Sequence, residues 1–257
     1  YFKVNTLQLC SKLINVIDQN AFKDSQLHHR ERYPVADVVM YYYYLGRLKL
    51  FEDNYEDSRN CFLLSLRHLP QTPACMRNRQ RIMVNLTAVN MVLGVMPTAA
   101  VAEKYGLTEL YGLSIAARRG DIGGFDRIMA ANQQPFLRIG VYLLLEQVKV
   151  IAYRCFFKRM YLLGNANTRI SLQTVATIIN SLQQKAGATV DELDVVDIDE
   201  VECIVANMIY NGKVKGYISH QKSFLVLSKA DPFPTQAIVA VKASSSSGAH
   251  SVFGFGK

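Results

Sequence analysis

The sequence predicts a mainly α protein in which a helical repeat is followed by a C-terminal winged helix. Apolar side chains recur at helical spacing through the first two-thirds of the 257 residues, and half of all residues are apolar, which is enough for a sizeable core. After Gly164 the order changes to strand, helix, helix and β-hairpin, which is the order of a winged helix. We therefore predict a helical-repeat part over 1–163, a winged helix over 164–230 and a flexible tail over 231–257.

Two amphipathic helices joined by a short polar turn are predicted between residues 37 and 70. Their residues match a helical hairpin in which small side chains let two helices approach closely and an aromatic ring fills the gap between them. The matching positions are Leu45-Gly46, Ser58, Phe62, Ser65 and Pro70. This hairpin resembles a tetratricopeptide repeat (TPR), although Lys49 stands where that repeat usually has an aromatic residue. We therefore predict a TPR-like unit.

Further helices are predicted from their capping residues. One short helix opens at Pro97-Thr98 and ends at Gly106, and Thr108 is expected to cap the next helix. Gly120 suits the left-handed position that ends that next helix, and Asp121 suits the N-cap of the following one.

A long apolar helix leads from the repeat into the winged helix. It is predicted to start at Pro135 and to run over 136–163, and its apolar character on nearly every side is typical of a central, buried helix. Arg169–Leu172 then predicts a short strand that feeds a helix capped by Ser171. A polar and acidic loop is expected over 183–197.

The second helix of the winged helix and its wing complete the predicted fold. Asp199 is expected to cap this helix, with Glu202 in the reciprocal capping-box position, and Asn211-Gly212 ends it. Two strand-like runs, Val214–Ser219 and Phe224–Ser228, form the wing.

The charge of the chain is unevenly distributed. The net charge is +8, but seven acidic residues fall in one short run: Asp191, Glu192, Asp194, Asp197, Asp199, Glu200 and Glu202. A recognition helix presents its N-terminal turn to the major groove, and here that turn would bring carboxylates against phosphates. We therefore expect this helix to pack within the fold or against protein, and nucleic acid to meet the wing instead.

Three segments carry a family resemblance. Ile115–Asp121, followed by Phe125, is similar to a central helical turn of the PCI domain, a family named after subunits of the proteasome lid, the COP-nine signalosome and a translation initiation factor. Asp199–Gly212 is similar to the second helix of that family's winged helix, and Lys213–His220 is similar to its wing. The resemblance implies a TPR-like repeat that runs without a break into a winged helix.

The closing stretch from Gly216 to Pro234 limits the resemblance to one group within the PCI family. It is similar to PCI subunits of the second transcription-and-export complex, a nuclear assembly that couples transcription to mRNA export. The resemblance implies three partners: a large PCI-containing scaffold subunit, a small acidic protein subunit, and RNA or DNA bound through its backbone. It also implies a location in the nucleus, at the nuclear pore.

The candidate nucleic-acid-binding residues are cations, because long cationic side chains reach phosphates. They lie on or beside the wing, on the long helix and at the first strand: Lys213, Lys215, His220, Lys222, Lys229, Arg154, Lys158, Arg159 and Arg169. The alternative is that lysines at a strand edge simply face solvent and block aggregation. Arg118-Arg119 has a structural explanation, since cations in a last helical turn are stabilised by the helix dipole.

The candidate partner-binding residues are Tyr217, Phe224 and Val226 on the terminal hairpin. The outer edge of that hairpin is expected to be unpaired, and an unpaired edge with apolar side chains can bind another chain. The alternative is that these residues cover the core of the winged helix.

Several functional classes are disfavoured. The sequence has no nucleophile elbow, phosphate-binding loop or zinc-protease motif, and no two cysteines stand at metal-ligand spacing, so we expect no enzyme, cofactor or metal. The five scattered cysteines predict reduced thiols of an intracellular protein. No uncharged apolar run reaches the ~20 residues that a membrane span needs. The first residue is Tyr1, which indicates a fragment.

The sequence therefore predicts a non-catalytic scaffold and nucleic-acid-binding subunit of a nuclear mRNA-export complex. The alternative is a PCI subunit that binds only proteins, as in a proteasome lid or signalosome.

Overall fold

The computed structural model describes residues 9–14, 16, 33–185 and 195–234, and helices dominate these residues. Within residues 33–168, the helices are α1 (Val35–Phe51), α2 (Tyr55–His68), α3 (Met76–Val92), α4 (Ala99–Tyr105), α5 (Thr108–Arg119), α6 (Ile122–Ala131), α7 (Gln133–Ile139) and α8 (Tyr142–Leu163). They are followed by β1 (Arg169–Ser171), α9 (Leu172–Lys185), α10 (Ile198–Tyr210), β2 (Gly216–Ser219) and β3 (Phe224–Leu227). This order confirms the predicted fold class.

The hairpin of α1 and α2 owes its close packing to its small residues. A Cβ added to Gly46 would lie only 3.0 Å from the ring of Phe62, so a side chain at this position would push the helices apart. The hydroxyl of Ser58 donates to the carbonyl of Gly46 at 2.8 Å, and the hydroxyl of Ser65 donates to the carbonyl of Val39 at 2.9 Å. Both serines are buried, and these hydrogen bonds join the two helices at two levels.

Most of the predicted caps in the helical repeat are present. The side chain of Asp121 accepts from the amide of Gly124 at 2.9 Å, and Gly120 adopts a φ of 63° at the end of α5. The prediction for Thr108 is wrong, because Thr108 is the first helical residue of α5 and Leu107, which has no side-chain acceptor, stands at the N-cap.

The long helix predicted from Pro135 is two helices. Gly140 ends α7 with a φ of 83°, and α8 begins two residues later at Tyr142. A Cβ at Gly140 would lie 2.9 Å from Nη2 of Arg47, so the guanidinium of α1 occupies the space beside this glycine. The left-handed turn at Gly140 explains the break.

Helix α8 belongs to two hydrophobic cores. Its first half, including Leu145 and Val148, packs with the core of the helical repeat. From Tyr153 onward it packs with the core of the winged helix, which also contains Leu172 and Leu225. The two cores therefore meet within one helix, and the predicted domain boundary after residue 163 stays a prediction.

The sheet has the order β1-β3-β2, and both pairings are antiparallel. Strand β3 is therefore central, while β1 and β2 form the edges. The hydroxyl of Ser171 accepts from the amide of Thr174 at 3.4 Å, as expected for a cap of α9. The observed strands of the wing are slightly shorter than the predicted ones. Residues 186–194 of the predicted acidic loop lie outside the described residues.

The cap of α10 differs from the prediction. Asp197, rather than Asp199, stands at the N-cap and accepts from the amide of Glu200 at 2.7 Å. Glu202 forms no capping box, because with Asp197 at the N-cap the N3 position falls on Glu200, and the carboxylate of Glu202 contacts His220 on the wing instead. The observed cap lies two residues before the predicted one. Several acidic residues near the start of α10 suit the N-cap position, so the sequence alone does not choose between them.

The predicted tail begins with an ordered contact. Phe233 is buried in the core of the winged helix, and its ring lies 5.9 Å from that of Tyr161. Residues 231–234 therefore pack against the domain, in contrast to the predicted flexible tail from residue 231, and residues 235–257 lie outside the described residues.

Candidate nucleic-acid interface

The outer face of the sheet is defined by the strand register. Val226 on β3 lies between Arg169 on β1 and Tyr217 on β2, and side chains at paired positions share one face. Phe224 lies in the same way between Ser171 and Ser219, whereas the alternate residues Leu225 and Leu227 are buried. The sheet therefore presents an aromatic and apolar strip to the outside, with Arg169 at one edge.

The three predicted partner-binding residues lie on this outer face. Tyr217 is on the edge strand β2 and is 63% exposed. Phe224 and Val226 are half-buried on the central strand β3, so the prediction that they belong to an unpaired edge is wrong. The core is covered by Leu225 and Leu227 instead, because the period of two along β3 places these two side chains on the inner face.

The cations of the wing lie at both ends of the β-hairpin. Lys215 and Lys229 flank its base, where the amide of Ser228 donates to the carbonyl of Lys215 at 2.8 Å. His220 and Lys222 lie in the 3-10 turn at its tip. These four side chains are exposed. The ion pair between Lys215 and Asp231, with 3.6 Å between Nζ and Oδ2, is exposed as well and leaves the lysine accessible to phosphate.

Lys213 differs from the other wing lysines. It is half-buried at the end of α10, and its amide donates to the carbonyl of Met208 at 2.8 Å. Burial lowers the pKa of Lys213, and the positive charge of Arg154 lowers it further. Its ammonium is therefore less accessible to phosphate than those of the exposed lysines.

His220 links the tip of the wing to helix α10. Its Nδ1 lies 2.8 Å from Oε2 of Glu202, and its side chain is 79% exposed. The hydrogen bond with Glu202 and the negative charge of that carboxylate raise the pKa of His220 above its ordinary value. This pair favours a charged imidazole at the tip of the wing.

Arg154 is not available to nucleic acid, in contrast to the prediction. Its side chain is 6% exposed, and its Nη2 donates to the carbonyls of Phe233 at 2.9 Å and Pro234 at 3.2 Å. The guanidinium therefore holds the segment after β3 against α8, and its role is structural.

Lys158 and Arg159 form a second group of exposed cations on α8. Burial raises the pKa of Cys155, while the charges of Arg154, Lys158, Arg159 and Arg118 oppose that rise, so Arg118 at the end of α5 lies near this part of α8. The turn after α5 also touches α8, because a Cβ at Gly120 would lie 2.6 Å from the amide nitrogen of Phe156. The structure thus adds the exposed Arg118 to the candidate surface. In the sequence, Arg118 stands in an Arg-Arg-Gly motif that indicates the end of a helix. That motif does not indicate that Arg118 lies near α8.

Helix α10 carries no lysine or arginine. Its acidic first turn, including Asp199 and Glu200, is exposed, and Tyr210 near its end is 84% exposed. A helix of this composition offers phosphates no cation. The expectation that α10 does not enter the major groove stays a prediction, with this charge distribution in its favour.

A helix that crosses a bilayer needs ~20 predominantly apolar residues. Within residues 9–14, 16, 33–185 and 195–234, no helix has the length and apolar character needed to cross a membrane.

The fold and the wing define a class of domain. Residues 129–229 match the family model of the PCI domain, and they comprise α7 to α10 and all three strands. This match agrees with the PCI resemblance that the sequence predicted.

Several curated proteins are similar to the chain over most of its length. PCI domain-containing protein 2 of Danio rerio is 38% identical over 234 residues, which cover 91% of this chain and 54% of that protein. The PCI domain-containing protein 2 homolog of Drosophila melanogaster is 34% identical over 238 residues, covering 93% and 55%. Enhanced ethylene response protein 5 of Arabidopsis thaliana is 31% identical over 239 residues, covering 91% and 54%. The chain spans about half the length of these relatives.

Proposed function

We propose that this protein is a non-catalytic scaffold subunit of a nuclear mRNA-export complex and that its wing binds nucleic acid. Its PCI domain is of a kind that generally acts as a scaffold in complex assembly. The proposed partners are a large PCI-containing scaffold subunit and a small acidic protein. The resemblance of the segment from Gly216 to Pro234 to PCI subunits of that complex supports this assignment.

The observation that carries the nucleic-acid role is the contrast between the wing and α10. Lys215, Lys222 and Lys229 are exposed on or beside the hairpin, whereas the neighbouring helix begins with exposed carboxylates and carries no basic residue. Cations at these positions can pair with phosphates, and Tyr217 on the outer face can stack on a base. This surface is therefore suited to backbone binding with weak sequence preference.

A charge-reversal variant tests this role. Lys215→Glu, Lys222→Glu and Lys229→Glu are combined, and RNA binding by the chain is measured by gel shift at two salt concentrations. The matched control reverses Arg67, Lys104 and Arg127, which are exposed cations outside the wing. We expect the wing variant to lose most of its affinity and the control to retain it. With a single-stranded RNA, the slope of log affinity against log salt should become shallower by about 0.7 for each lost phosphate contact.

Three results would contradict the nucleic-acid role. These are equal loss in both variants, salt-insensitive binding, and the absence of RNA binding by the unmodified chain at low salt.

A second candidate function, protein binding alone, is favoured by the exposed aromatic side chains of Tyr217 and Tyr210. Exposed tyrosines are common anchors of protein interfaces. If this function holds, replacing both by serine should abolish co-purification of the partner subunits, and the unmodified chain should bind no RNA at low salt. Loss of RNA binding with intact assembly would assign the tyrosines to nucleic acid instead.

A further inference from the structure

A concave cavity of about 710 Å³ opens on the helical repeat, away from the wing. Four elements build it: α1, α3, the start of α5 and α7. Helix α3 lines it with one face, since Arg77, Arg81, Val84 and Asn85 recur at helical spacing. The volume lies in the range of pockets that bind small molecules.

The cavity is strongly cationic. Its lining contains four arginines, Arg47, Arg77, Arg81 and Arg138, and one acidic residue, Glu109. The guanidinium groups of Arg77, Arg81 and Arg138 make no hydrogen bond or ion pair with any residue that the structure describes. Planar guanidinium groups bind phosphate in a bidentate manner, so three uncommitted ones around a single cavity favour a phosphorylated ligand.

The same cavity offers flat apolar surface. Tyr43, Tyr44 and Phe136 line it, and the rings of the two tyrosines pack edge to face with 5.4 Å between their centroids. Aromatic side chains in a basic site are stacking platforms for nucleobases. Inorganic phosphate would leave this part of the cavity unused.

The side-chain oxygen of a buried asparagine in the cavity lacks a partner among the described residues. Asn85 is 1% exposed, and its Nδ2 donates to the carbonyl of Arg81 at 3.0 Å. Its Oδ1 is buried and accepts no hydrogen bond from any described residue. Buried polar atoms are almost always hydrogen-bonded, so this acceptor indicates a ligand that supplies a donor. An exocyclic amine of a base or a ribose hydroxyl has this property.

We propose that this cavity binds a nucleotide, with the phosphate on the arginines, the base against the tyrosines and a donor group on Oδ1 of Asn85. The nucleotide can be free or part of an RNA strand, since both present the same chemistry. The cavity and the wing share no residue, so the proposal does not depend on the nucleic-acid role of the wing.

Titration calorimetry with the purified chain tests the proposal. The probes are adenosine monophosphate, a ribo-trinucleotide and inorganic phosphate, in a buffer of about 50 mM salt so that charge interactions are weakly screened. The cavity variant combines Arg77→Glu with Arg81→Glu, two exposed residues whose replacement leaves the core untouched. The matched control combines Arg67→Glu with Arg127→Glu, which changes the charge equally and lies outside the cavity. Circular dichroism checks that both variants fold.

We expect the nucleotide to bind the unmodified chain and the control equally, and the cavity variant to lose affinity by on the order of tenfold to a hundredfold. Tighter binding of the trinucleotide than of the mononucleotide would assign the site to RNA, and equal binding would assign it to free nucleotides. Asn85→Leu should weaken binding of the nucleotide and leave the affinity for inorganic phosphate unchanged.

Other results would overturn the proposal. These are no binding of either nucleotide, equal binding by the cavity variant, phosphate that binds as tightly as the mononucleotide, or an acidic peptide that displaces the nucleotide at lower concentration. The last result would make the cavity a protein-binding site. The wing triple variant should bind the mononucleotide normally, so failure of the wing role and failure of this proposal are distinguishable.

Discussion

At the scale of single residues, Arg154 shows how a cation in a helix can serve the fold. It lies one turn before Lys158 on α8, yet Arg154 is buried and Lys158 is exposed. The difference comes from a segment 79 residues further along the chain, whose carbonyl at Phe233 accepts from the guanidinium. The spacing of residues within the helix cannot show that Arg154 is buried, because its contact with Phe233 depends on how the chain returns to α8.

We predict that Arg154→Ala destabilises the protein by about 2 kcal/mol, since it removes charge-assisted hydrogen bonds to two carbonyls and leaves those acceptors without a donor. Urea unfolding followed by circular dichroism measures the change. Arg159→Ala, an exposed neighbour, should change the free energy of unfolding by less than about 0.5 kcal/mol. Equal effects of the two substitutions would show that the contacts with Phe233 and Pro234 contribute nothing.

The contact of His220 with Glu202 makes the stability of the folded protein depend on pH. Because the pKa of His220 is raised in the folded protein above 6.5, its stabilising contribution is present below that value and is lost as the pH rises through the raised pKa. A titration of the imidazole followed by NMR should give a pKa above 6.5, and Glu202→Gln should bring it back towards that value. A titration that Glu202→Gln leaves unchanged would show that the carboxylate does not set the pKa.

At the scale of elements, the hairpin of α1 and α2 depends on one close approach. We predict that Gly46→Val destabilises the protein by about 1–3 kcal/mol, because the new side chain meets the buried ring of Phe62. Phe62→Leu alone should also destabilise, since it shortens a buried side chain. The double variant should be less destabilised than the sum of the two, and a double-mutant cycle in urea measures the coupling. Strict additivity would mean that these two positions do not limit the approach of the helices.

Element boundaries show what the sequence could predict. The cap at Asp121 is found where it is predicted, whereas Thr108 lies one residue inside the helix that it is expected to cap. The cap of α10 is misplaced because several acids compete for it, and only the backbone geometry selects Asp197. The break at Gly140, which ends α7 with a φ of 83°, is missed because apolar residues continue on both sides of this glycine.

At the scale of the whole molecule, the fold class follows from periodicity and from the order of elements near the C-terminus, which are local features of the sequence. The candidate sites do not follow in the same way. The wing lysines can be proposed as candidates from the sequence because they stand close together along one predicted hairpin, whereas the arginine cavity collects residues from four elements between Tyr43 and Ile139. Only the packing of these helices brings its charges together.

Because α8 packs in both hydrophobic cores, we predict that the two cores unfold together. Phe157 is fully buried in the core of the winged helix, and Phe157→Ala should lower the free energy of unfolding by about 3–5 kcal/mol. Amide hydrogen exchange should then accelerate in α1 to α3 as well as in the sheet, because the same helix supports both cores. Acceleration confined to residues 164–234 would show two independent units. Lys158→Ala, which alters only the exposed side of α8, is the control.

A helix embedded in two cores has a mechanical consequence. Because the two halves of α8 are buried in different cores, we expect a displacement of the winged helix to be transmitted to the helical repeat as a tilt or rotation of this one helix.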